Sequence, residues 1–85
     1  MSGVRLTEDQ KAVLIEINIL SGGSLKAHFP KQAILRHFRK DFRGYAAEAL
    51  KELVRKGLVM KHPTRGEMTY SLTPVGLQVL RELVR

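Results

Sequence analysis

Apolar positions along the chain change their spacing repeatedly, and each change predicts an element. Val13, Leu14, Ile17 and Leu20 recur at three- and four-residue steps, the period of a helix with one buried face. Thr7 followed by Gln10 fits a capping box, so this first helix starts near Glu8, and Ser21-Gly22-Gly23 ends it. Ser24 to Phe29 is short and mixed, an extended segment expected to pair weakly with a ribbon further on. Pro30 opens a second helix with Ala33, Ile34, His37 and Phe38 facing inward and Gln32, Arg36 and Arg39 facing out. Lys40-Asp41-Phe42 reads as the turn that follows, with Asp41 as N-cap of a third helix and Phe42 as a core anchor. That helix spans about 42–56, because Ala46, Ala49, Leu50 and Leu53 share a face and Gly57 can close it in a left-handed conformation.

The period then shortens. Leu58-Val59-Met60 runs out as a strand and Thr69 to Leu72 runs back, with Pro63 and Gly66 favouring a turn between them. Thr73 supplies an N-cap oxygen and Pro74 takes the first helical position of a last helix that reaches about Arg85. Leu77, Leu80, Leu83 and Val84 lie along one side of it. The pattern predicts one α+β domain over residues 1–85, mostly α with a small β-hairpin.

Three stretches carry a resemblance: Ala49-Leu50-x-x-Leu53-x-x-x-Gly57-Leu58-Val59, the Arg65-Gly66 turn, and Tyr70-x-Leu72-Thr73-x-x-Gly76-x-x-x-Leu80. Together they resemble the small winged helix-turn-helix transcription regulators of the MarR/PadR type, over positions 46 to 80. The resemblance implies the order helix, short strand, helix, helix, strand, wing, strand, helix. It implies a recognition helix at about 42–56 in the major groove and a wing at about 61–68 on the flank of double-stranded DNA.

Charge changes this picture most. The net charge is +7, and residues 24–66 hold eleven Lys and Arg against Asp41, Glu48 and Glu52. The excess lies where the second and third helices and the hairpin are expected, which implies a polyanionic partner. The candidate DNA-contacting residues are Lys31, Arg36, Arg39, Lys40, Arg43, Tyr45, Lys51, Arg55, Lys61 and Arg65. Arg43 and Tyr45 stand near the start of the third helix, and Arg65 beside Gly66 is the choice for the wing tip. Glu48 and Glu52 depart from an ideal DNA reader. Each either accepts from a base amino group or pairs within the helix, Glu48 with Lys51 and Glu52 with Arg55 or Lys56. Engaging six to eight phosphates implies a log–log salt slope of roughly −5 to −7.

Ala12, Ile15 and Ile19 fall opposite the core face of the first helix. They form either a dimer seam or a surface covered by the last helix. The seam is the preferred reading, with Ile15, Ile19, Leu83 and Val84 joining two copies through their first and last helices, as the resemblance also implies. No apolar run is long enough to span a membrane or form a secretory leader, and there is no cysteine, so a cytoplasmic setting is expected. His28, His37 and His62 lack ligand spacing, and neither a phosphate-binding glycine loop nor a nucleophile with its base is evident. No enzyme activity, cofactor, metal or small-molecule effector is therefore expected. Two other readings remain. The domain could be an assembly module within a larger nucleic-acid-processing complex, or an RNA binder, which lacks the exposed aromatic pairs of a stacking platform.

Overall fold

The computed structural model describes residues 5–83. It has four α-helices, a 3-10 turn and a small three-stranded antiparallel sheet. Helix α1 (Glu8–Ser21) begins on the expected capping box: the Gln10 amide donates to Thr7 Oγ1 at 3.1 Å and the Thr7 amide donates to Gln10 Oε1 at 3.3 Å. It ends where Gly22 turns left-handed, the Gly22 and Gly23 amides closing on the Ile19 and Asn18 carbonyls. Val13, Leu14 and Ile17 are fully buried, and α1 packs on α3.

Strand β1 is only Phe29–Pro30, so the pairing expected of the preceding segment is confined to its end. Helix α2 (Lys31–Leu35) is shorter than its sequence predicts. After it the His37 and Phe38 amides reach back three residues instead of four, to Ile34 and Leu35, which tightens the chain out of the α-helix. His37 is consequently not an inward residue: its side chain is 41% exposed and lies 3.5 Å from the Glu16 carboxylate. A 3-10 turn (Lys40–Phe42) leads into α3 (Arg43–Arg55). Asp41 does not cap α3. The N-cap position belongs to Phe42, which has no side-chain oxygen, and Asp41 faces Arg39 at 3.5 Å.

The end of α3 follows its sequence closely. Gly57 adopts φ +80°, its amide donates to Val54 O, and the Leu58 amide donates to Leu53 O. Leu53 and Leu58, the apolar pair that accompanies this cap, are both fully buried. Strands β2 (Val59–Thr64) and β3 (Glu67–Leu72) then pair around Arg65-Gly66, with Gly66 at φ +95°. Strand order is β1-β3-β2.

Helix α4 (Pro74–Leu83) starts from Thr73, whose Oγ1 accepts from the Gly76 amide at 3.0 Å and donates to the Gly57 carbonyl at 2.7 Å. The Thr73 amide donates to Leu58 O, so both ends of the hairpin are tied at its base. The face α4 buries is Gly76, Val79 and Leu80: of the expected side Leu80 is buried and Leu77 half-buried, whereas Leu83 is exposed. Gly76 is required by contact: a Cβ there would overlap the Leu58 carbonyl. Val84 and the end of the last helix lie outside the described residues.

The core gathers Val13, Leu14 and Ile17 of α1, Ile34 of α2, Ala46, Ala49, Leu50 and Leu53 of α3, Val59 and Leu72 of the sheet, and Val79 and Leu80 of α4. Each large aliphatic side chain so buried stabilises the fold by roughly 1.5–3 kcal/mol before entropy is charged against it. No helix among the described residues is long and apolar enough to cross a membrane.

Candidate nucleic-acid interface

Alternation along the hairpin decides what faces α3. Val59 pairs with Leu72 in the core, so Lys61 and its cross-strand partner Tyr70 stand on that same face, one step further out. They border a groove of about 310 Å³ between the sheet and the third helix. Lys31 from the start of α2 and Glu48 and Lys51 from α3 complete its polar lining. Lysines from three elements and one glutamate thus line the same groove. Tyr70 was no candidate from sequence, although the register opposite Lys61 is the signal that finds it.

Other candidates divide by what already holds them. Arg43 is half-buried and folded back: Nε donates to Phe38 O at 3.0 Å and Nη2 to Arg36 O at 3.3 Å. This guanidinium fastens the bend between α2 and α3, a structural task that the sequence did not suggest. Arg55 is also engaged, donating from Nε and Nη2 to Glu52 Oε1 at 2.9 and 2.7 Å. That bond holds the Glu52 carboxyl below the usual carboxylate range and raises the Arg55 guanidinium above its own. Glu52 therefore takes the intrahelical option, whereas Lys56 donates to Arg5 O and Gln10 Oε1.

Arg39 rests near Asp41, with both side chains largely exposed. Lys31, Arg36, Lys40, Lys51, Lys61 and Arg65 are exposed and make no side-chain hydrogen bond or ion pair among the described residues. Arg36 and Arg43 flank a second cleft, beside Pro30 and Gln32, and Arg65 stands at the hairpin tip. Tyr45 is 65% exposed at the start of α3, its ring 6.2 Å from that of Phe42. Tyr45 is thus an exposed ring beside a half-buried one, since Phe42 packs against the core.

Folding also joins two histidines that look scattered in sequence. The His28 and His62 rings stack with centroids 5.0 Å apart on the sheet face away from α3. Thr69 Oγ1 already donates to His62 O, so at 2.9 Å it accepts from His28 Nδ1, which fixes the tautomer of a neutral His28. His62 Nε2 lies 2.8 Å from Ser71 Oγ. Among the described residues no group of three or more His, Asp or Glu comes together as a metal site. Ile15 and Ile19 are exposed on α1, Ile19 at 64%.

No protein-family model matches the chain, and no curated protein matches it.

Proposed function

We propose that the chain is a winged-helix domain that binds double-stranded DNA and serves as a transcriptional regulator. In this reading α3 enters the major groove and the β2–β3 hairpin is the wing. The observation that carries it is the groove between them, where Lys31, Lys51 and Lys61 arrive from separate elements without an anionic side chain paired to any of them. A net excess of positive charge in one concave place, with Glu48 the one carboxylate among its lining residues, favours a polyanion over a neutral partner. Arg65 on the turn is placed to touch the flank, while Arg36 and Lys40 extend the charge along the α2 side. Two copies joined through Ile15, Ile19 and Leu83 would present two such grooves about one helical turn apart.

Titration of duplex DNA against salt tests the reading. Six unengaged cations on each copy predict a log–log slope near −5 per copy bound, and replacing Lys31, Lys51 and Lys61 with Gln is expected to make it shallower by about 3 per copy. A slope near zero, or no binding at low salt, overturns it. The lysines are the right set because Arg43 cannot be changed without disturbing the bend it fastens. Should the triple variant lose no duplex affinity yet the chain co-purify with a defined protein complex, the assembly-module reading replaces this one.

A further inference from the structure

We infer that Glu48 reads a cytosine: its carboxylate accepts a hydrogen bond from the N4 amino group at the major-groove edge of one base pair. The inference rests on the DNA-binding reading and specifies what its central groove recognises. Glu48 is exposed on α3 and lines the groove with Lys31, Lys51 and Lys61. Lys51 is at the helical spacing for an ion pair, yet no Lys or Arg among the described residues lies at salt-bridge distance from Glu48. One turn further along, Glu52 shows the alternative, held by Arg55 at 2.7 Å. Glu48 caps no helix and makes no hydrogen bond among the described residues, so its carboxylate is free to accept from a ligand.

A groove that only gripped phosphates would be weakened by an anion in its wall. The lysines that line the same groove change what the anion can do. They take the phosphates on either side and offset the repulsion that would otherwise keep a carboxylate out of the DNA groove. What it then meets is a base edge, and it can only accept. In the major groove the donors are the N4 amino group of cytosine and the N6 amino group of adenine. Adenine sets its N7 acceptor next to N6, turning a lone pair toward the carboxylate, whereas cytosine has no such neighbour. Guanine and thymine present acceptors at the corresponding place and are rejected.

The experiment selects bound sequences from a random duplex pool with wild type, Glu48→Gln and Glu48→Ala. Wild type is expected to enrich cytosine at one position by about tenfold over the other bases. In Glu48→Gln the preference at that position moves to adenine, because an amide both accepts from N6 and donates to N7. In Glu48→Ala it flattens while the other positions are unchanged, and affinity for unselected duplex rises. Thermal melts of the variants should match wild type, since the side chain holds nothing in the fold. Preferences that are identical in all three proteins overturn the inference, as does binding without any base preference, and both leave the groove's grip on phosphate intact. Absence of duplex binding by wild type at low salt overturns the DNA reading itself, a result distinct from the other two.

Discussion

The junction from Gly57 to Gly76 and the bend from Arg36 to Arg43 both reverse the chain beside α3, but they are fastened by different means. At the first, the bonds are helix caps and links across the base of the hairpin: Leu58 N to Leu53 O, Thr73 N to Leu58 O, and the Thr73 hydroxyl between Gly57 and Gly76. At the second, one long side chain reaches back from α3 to the Phe38 and Arg36 carbonyls. A junction built from caps positions the hairpin rigidly against α3. A bend held by a guanidinium depends on a residue whose charge could have been counted as part of the binding surface. Basic residues near a binding face thus divide into those that hold the protein and those free to hold a ligand.

Substitutions sharpen the contrast. Gly76→Ala should act most strongly, because the new methyl group meets the Leu58 carbonyl in the backbone of the junction itself. A loss of about 3 kcal/mol is expected from such overpacking, read as a lower urea midpoint. Arg43→Ala removes both carbonyl contacts of the bend and should cost about 2 kcal/mol, with amide exchange accelerating over residues 36–42. Arg43→Lys should recover only part of this, since one ammonium cannot span two carbonyls as the planar fork does. Thr73→Ala takes the cap from α4 and the hydroxyl donor from Gly57 O, for about 1 kcal/mol in thermal unfolding.

Glu52→Gln touches neither junction and should matter least. Arg55 depresses the Glu52 carboxyl, so whatever stability this pair contributes is present above the ordinary carboxylate range and lost as pH falls through the depressed value. The difference between wild type and variant should accordingly vanish in acid, measured by urea unfolding at neutral and low pH. A difference that grows in acid contradicts the pairing.

The two regions also differ in how far sequence discloses them. Thr7 with Gln10, Gly57, and Thr73 with Pro74 are local signals whose hydrogen bonds fall within a few residues, and these helix boundaries appear where they predict them. The α2 region offers no such punctuation. Its helical period continues past Leu35, but Phe38 and Phe42 pack together with ring centroids 5.4 Å apart, and Arg43 pulls the intervening carbonyls inward. Tertiary contact overrides periodicity there, which is why His37 and Asp41 are not where their spacing suggests. For the groove, charge excess in the middle of the chain points to the segment that supplies its three lysines. The meeting of Lys31 with Lys51 and Lys61 depends on strand register and helix packing, information that no local pattern contains.

The sheet order has a further consequence for the molecule's fate at high concentration. With β3 in the middle, the outer rims belong to β1 and β2, and a bare rim is a template on which a foreign strand can add. Both rims contain a proline, Pro30 and Pro63, while the central strand has none. Proline lacks the amide that such addition would use, and Lys61 adds charge to the longer rim. The hairpin can therefore project into solvent without inviting its own kind to stack along it.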